Sequence, residues 1–172
     1  TAQRLQRLEE AGRHFERASS LNTNNKPAQV NLQFNRQLRA DGDRTAPVAR
    51  SADERLGGYR DLETLLVYSG QFDEPESCFD VGQLFLQQSL FRQAAMQFDR
   101  VRTLQPTNVL ARLGLASAYL QNGLQDQALE QIAQVRALTN LPPLTPELDL
   151  SMARIEASAY FAKNNLAAAE MT

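Results

Sequence analysis

The chain has 172 residues, with 18 lysines and arginines against 20 acids, one histidine, one cysteine and no tryptophan. A formal net charge of −2 gives no general attraction for a nucleic-acid backbone, and a lone cysteine excludes an internal disulfide. No apolar run reaches membrane-spanning length and no signal-peptide pattern is present, so these residues insert into no membrane as a helix and leave the compartment open. Frequent Ala, Leu and Gln favour helix over sheet, and the length suits one domain with its own core. Arginines concentrate between Arg4 and Arg60, and the rest of the chain is net acidic. This reads as two differently solvated ends of one array, with docking of an acidic partner at the basic end as the sharper alternative. Arginine and glutamine in preference to lysine hint at a bacterial source.

In chain order, residues 3–20 predict a helix with Leu5, Leu8, Ala11, Phe15 and Ala18 on one stripe. Ala11, Phe15 and Ala18 share the spacing of Ala94, Phe98 and Val101, which marks the second helix of an earlier, degenerate repeat over about 1–74. Leu21 to Asn25 then parallels Leu104 to Asn108 as a connecting turn. Pro27 suits the first turn of the next helix, which runs to about Ala40 with Val30, Phe34 and Leu38 on one face. Residues 41–58 read as an irregular insertion: Asp41-Gly42-Asp43 and Pro47 break the pattern, Ser51 and Glu54 have capping-box form, and Gly57-Gly58 follows. Asp41-Gly42-Asp43 opens like a calcium loop, but Ala52 stands where the bidentate acid is required. Tyr59 to Ser69 is amphipathic through Leu62, Leu65 and Leu66. Gly70 to Pro75 is a turn whose acids, Asp73, Glu74 and Glu76, suit the start of a helix rather than a catalytic pair.

From Glu76 to Val135 the chain matches itself at a displacement of 34 residues. Gly82 falls on Ala116, Phe85 on Tyr119, Ala94 on Ala128, Phe98 on Ile132 and Val101 on Val135. Each period holds two apolar stripes at helical spacing: Cys78, Val81, Gly82 and Phe85, then Phe91, Ala94, Ala95, Phe98 and Val101. Small residues at Gly82 and Ala94 let two short helices approach closely. Such a pair cannot bury both stripes alone, so hairpins must stack on neighbours. Two clear repeats result, 75–108 and 109–142. After Leu141 to Pro146, with Thr145 as cap, the stripe Leu150, Ala153, Ala157 and Tyr160 predicts a third repeat, cut short, over 150–172. Its Ala157, Tyr160 and Ala169 align with Ala116, Tyr119 and Ala128, and Leu166 to Met171 is expected to fray or pack on another chain. The start in polar helix and the stop within a repeat suggest a fragment of a longer protein.

These residues resemble the tetratricopeptide repeat (TPR) family. The likeness rests on the period, the small residues Gly82 and Ala116, the aromatics Phe85 and Tyr119, the alanines Ala94 and Ala128, and Pro106. Cys78 and Arg112 replace the family's frequent tryptophan, and Asn140 replaces the closing proline of the second repeat. The resemblance implies an all-α, alpha-alpha superhelix, a solenoid of helical hairpins forming a single domain over 1–172, and a function in protein or peptide binding.

The chemistry of an enzyme is missing. His14 lies on the polar side of the first helix without a partner for zinc or a triad, Cys78 sits in an apolar stripe as a structural thiol, and Gly57-Gly58 lacks the context of a phosphate loop. No catalytic, metal or cofactor site is expected. A partner groove is expected on the first helix of each hairpin. Its candidates are Val30, Phe34 and Gln37 early on, then Phe79, Gln83, Leu86 and Gln87. One period further they are Leu113, Ser117, Leu120 and Gln121, and in the third repeat Arg154, Ser158 and Phe161. Some relatives grip a peptide's terminal carboxylate with Lys, Asn and Arg. Here those places hold mainly Phe79, Gln83, Leu113, Gly114 and Ser117, with Arg154 alone basic, so no such clamp is expected. The expected function is a protein-interaction scaffold or adaptor that binds a helix or extended apolar peptide in its groove. Self-association through the incomplete ends is the alternative, and an accessory segment of an enzyme is a third reading.

Overall fold

The computed structural model of the chain describes residues 2–41, 72–138 and 144–170. The expected insertion beyond residue 41, the amphipathic stretch 59–69, the connection 139–143 and the side chains expected to fray at the end lie outside the described residues. Among the described residues there are seven helices and no strand. They are α1 (Leu8–Leu21), α2 (Lys26–Asp41), α3 (Pro75–Gln87), α4 (Phe91–Leu104), α5 (Val109–Gln121), α6 (Gln125–Arg136) and α7 (Pro146–Glu170). This is the all-α hairpin architecture that the repeat requires. The residues form two compact units, Thr1–Val81 with Thr103–Gln105, and Gly82–Arg102 with Pro106–Thr172.

In the first unit α1 packs on α2, and Phe34, Leu38 and Leu104 form a core joined by Leu8. The first helix starts at Leu8, not at residue 3. Gln6 has φ 61°, which an α-helix does not admit, and Leu5 is left 69 % exposed. Asn25 closes the turn before α2, its Oδ1 accepting from the Ala28 N–H at 3.0 Å. Asn108 does the same before α5, accepting from Ala111 at 2.9 Å. The parallel between the two turns is therefore a shared N-cap.

The acids before α3 serve its start, for a physical reason. The Glu74 carboxylate accepts from the N–H groups of Glu76 at 3.0 Å and Ser77 at 2.7 Å, satisfying two donors that the first helical turn cannot. Asp73 is held through its backbone: its N–H donates to Asn31 Oδ1 at 2.7 Å, and its carbonyl accepts from Gln3 Nε2 at 2.6 Å. Its carboxylate faces Arg4 Nε at 3.4 Å. Cys78 is fully buried and donates to the Phe72 carbonyl at 3.3 Å.

The second unit carries most of the internal repeat. Ser89 has φ 58° and Gly123 φ 75°, one period apart. The Leu90 N–H reaches Phe85 O at 2.8 Å and the Leu124 N–H reaches Tyr119 O at 2.9 Å. Both helix ends thus close with the same left-handed residue, but only one is glycine. Ser89→Gly is expected to raise stability by about 1 kcal/mol, because a side chain in this region is strained; urea unfolding measures it.

The apolar residues one period apart do equivalent work. Ala94, Ala128, Phe98, Ile132, Val101 and Val135 are all buried. Phe98 differs from Ile132 in bulk, and its surroundings compensate. A Cβ at Gly82 would stand 2.9 Å from the Phe98 ring, and one at Gly114 would stand 2.7 Å from it. The ring lies in a slot between α3 and α5 whose two walls are glycine. Ile132, smaller, sits in a cluster with Ala116, Leu113, Ala128, Val135, Met152 and Ile155.

α7 packs on both α6 and α5. Thr145 accepts from the Leu148 N–H at 3.4 Å, as its place before Pro146 predicts. The buried face of α7 differs from the expected stripe. Met152, Ile155 and Ala159 face inward, while Leu150 is 62 % and Tyr160 57 % exposed, with Ala153 and Ala157 also outward. The helix is rich in alanine and apolar residues on more than one face, so periodicity alone does not set its rotation. It also runs unbroken between Tyr160 and Ala169, where the alignment with the second repeat places a turn.

Candidate functional site

A cleft of about 300 Å³ lies between α5 and α7. Ser117, Leu120 and Gln121 line it from α5. Their spacing of three and four residues puts them on one helix face. Ser151, Arg154, Ile155 and Ser158 line it from α7 with the same spacing. Leu120 and Ile155 belong to the packed core beneath and form an apolar floor. Gln121, Ser151, Arg154 and Ser158 are exposed and form a polar rim. Ser151 spends its hydroxyl hydrogen on the Glu147 carbonyl at 2.9 Å.

The charges of α7 divide by flank. Away from the cleft, Arg136 of α6 makes a two-pronged pair with Glu156 at 2.5 and 2.7 Å, and Lys163 meets Asp126 of α6 at 2.5 Å. Those pairs tie α6 to α7. Arg154, on the cleft side, has no hydrogen bond or ion pair among the described residues. Arg112, near the start of α5, is buried instead. Its guanidinium donates to the Pro106 carbonyl at 2.9 Å and to Gln134 Oε1 at 2.6 Å, so it fastens the inter-repeat turn to α6. Burial, and then the nearby Arg102, push its pKa down. The Tyr119 hydroxyl is pushed up by burial first and then by Asp99 and Glu130, with Arg102 opposing.

Residues 85–143 match the family model described as tetratricopeptide repeat. This stretch is a tetratricopeptide-repeat segment. The matched TPR residues include the Phe98 ring, the α5 wall of the cleft and all of α6. No curated protein and no solved structure matches the chain. TPR segments generally mediate protein–protein interaction and are typically non-catalytic.

The expected groove residues fall into three groups. Ser117, Leu120, Gln121, Arg154 and Ser158 meet in the one cleft, and Phe161, 69 % exposed, lies one turn beyond Ser158. On α3, Gln83 and Leu86 are half-buried and Gln87 is exposed; in the first unit Gln37 and Phe79 are half-buried. Val30, Phe34 and Leu113 are buried to 0, 1 and 7 % exposure. These three are core residues: each sits on a helix covered on more than one side, so its apolar character serves packing. Phe34 also borders a smaller cavity of about 170 Å³ in the first unit, with Leu8, Leu38 and Leu104.

Two cleft residues were missed, Ser151 and Ile155. Ser151 lies one turn before Arg154 and Ile155 directly after it, but the packing stripe expected on α7, which the structure turns outward, hid them. Leu110 does not line the cleft. It is 53 % exposed and lies two turns before Ser117 on the same face of α5. Gly114, placed by the sequence among the groove positions, is buried and is a wall of the Phe98 slot. His14 is exposed on α1, 3.8 Å from Glu10. No group of three His, Cys, Asp or Glu that could hold a metal occurs among the described residues.

Proposed function

We propose that the chain is a protein-interaction scaffold or adaptor that receives a peptide or protein segment in the cleft between α5 and α7. The observation that carries the reading is an apolar floor, Leu120 and Ile155, edged by hydroxyl, amide and guanidinium groups from two adjacent helices. A floor of this kind seats a side chain of a bound segment, and the rim hydrogen-bonds its backbone. Gln83, Leu86 and Gln87 of α3 extend the receiving surface within the same unit, and Gln37 and Phe79 serve the first unit. The partner is a protein or peptide, with no role for nucleic acid, cofactor or catalysis. In this reading 75–108 and 109–142 are the working repeats and α7 opens a third.

A second reading has an observation of its own. Leu150, Tyr160 and Phe161 leave an exposed apolar surface on α7, which a second copy of the chain would cover in a self-associating scaffold.

Site-specific photocrosslinking in the full-length protein separates the readings. A benzophenone side chain in place of Gln121, at the cleft, is expected to give a discrete adduct with a second protein. The same group in place of Gln127, exposed on α6, is expected to give none. A homodimer adduct from position 150, with none from 121, supports self-association and overturns the cleft reading.

A further inference from the structure

We infer that the segment bound in the α5–α7 cleft presents a side-chain carboxylate, Asp or Glu, to Arg154, beside an apolar residue seated on Leu120 and Ile155. The inference rests on the cleft reading above and specifies its partner.

The argument begins with what lines the cleft. One guanidinium stands among serines, a glutamine, a leucine and an isoleucine, and no acid among the described residues lines the site with it. A folded chain commonly spends its arginines on local carboxylates. Here that work is done on the opposite flank of α7, where Arg136 and Glu156, and Lys163 and Asp126, join the two helices. Arg154 is left without a partner among the described residues, at the mouth of a concavity. The hydroxyls of Ser117 and Ser158 likewise have no hydrogen bond among the described residues. An arginine fork takes both oxygens of a carboxylate in one plane, and serine hydroxyls supply further donors to the remaining lone pairs.

Position makes the charge matter more than it would on an open surface. Arg154 is exposed at the rim, but a segment that covers the apolar floor excludes water from one side of the pair, so it is less screened than a pair on an open surface. Arg154 and the floor come from the same elements, Ile155 being its neighbour in sequence. A bound segment therefore meets an apolar seat and a cation side by side, which calls for an apolar and an acidic residue close together.

The single positive charge selects among anions. A phosphate group carries more charge and is usually met by a cluster of cations, whereas one guanidinium balances one carboxylate. A nucleic-acid strand calls for a stripe of cations tracking successive phosphates, and one arginine does not form a stripe.

The test uses short peptides, N-acetylated and C-amidated so that no terminal charge contributes. Each carries one leucine near one variable residue: Asp, Glu, Asn, Gln, Lys or phosphoserine. Binding is measured by fluorescence anisotropy to the full-length protein, to Arg154→Gln, to Arg154→Glu and to Ser117→Trp, which fills the cleft. The unsubstituted protein is expected to bind the Asp and Glu peptides roughly 5- to 10-fold tighter than their Asn and Gln counterparts. Arg154→Gln abolishes that ratio, and Arg154→Glu turns the preference toward Lys. Ser117→Trp removes binding of all peptides. An acidic preference that survives Arg154→Gln overturns the inference, as does binding of the phosphoserine peptides alone. Peptides that bind without charge preference, yet still require an open cleft, overturn the inference and leave the cleft reading standing. No peptide binding that depends on Ser117 overturns both.

Discussion

Phe98→Ala is expected to destabilise the protein by about 3–5 kcal/mol, the cost of deleting a large, enclosed aromatic side chain. Phe98 is fully buried, and its ring fills the space between two glycines on different helices, Gly82 of α3 and Gly114 of α5. Neither glycine has a side chain that could move into the void. The cavity therefore stays open, which places the expected cost above that of a core site that can collapse. Urea unfolding followed by circular dichroism gives the value, as a lowered midpoint with an unchanged slope if the native fold persists.

The second large effect comes from the wall of the same slot. Gly114→Ala brings a Cβ to 2.7 Å from the Phe98 ring, closer than carbon atoms tolerate, and a Cβ at Gly82 would likewise stand at 2.9 Å from it. Phe98 is fully buried, so the ring or the helix backbones must shift to make room. About 1–3 kcal/mol is the usual cost of overpacking of this kind. The sign reverses once the ring is gone. In the Phe98→Ala background, Gly114→Ala is expected to be neutral or stabilising by up to about 1 kcal/mol, since alanine is the better helix former. The double-mutant cycle thus isolates the contact itself. Independent, additive costs would show that Gly114 is there for another reason.

The slot also shows how the sequence encodes the repeat. The pairs Phe98/Ile132 and Gly82/Ala116 look like drift when read one position at a time. Together they conserve volume: the bulky ring stands by glycine, and the smaller isoleucine shares its cluster with alanine. Helix pairs and the period were legible for this reason, as were the cap at Thr145 and the helix-starting role of the acids before α3, which are local chemistry; Asn25 and Asn108 were legible only as matching turns. Three things were not. The start of α1 depends on a left-handed backbone at Gln6, which no side-chain pattern announces. The rotation of α7 is ambiguous because alanines populate both its inward and its outward faces; Met152 and Ile155 win through their contacts with the helices beneath. Groove and core could not be separated on α5, because a helix buried on most sides is apolar all round. Leu113 and Gly114 went inward there, while Ser117 and Gln121 reached the cleft.

That last distinction bears on how the cleft should be probed. Removing Phe79 together with Leu120 is a natural first test of partner capture, but Leu120 packs against the core cluster and its loss costs stability as well. Ser117 is better placed. It is half-buried, lines the cleft, and is not one of the residues of the hydrophobic cluster.

The most direct measurement is therefore the yield of the position-121 photoadduct in the Ser117→Trp protein, with its melting curve recorded alongside. An indole in the cleft is predicted to abolish the adduct while the melting temperature stays within a few degrees of the parent. An adduct formed as readily with the cleft filled as with it open would contradict the account.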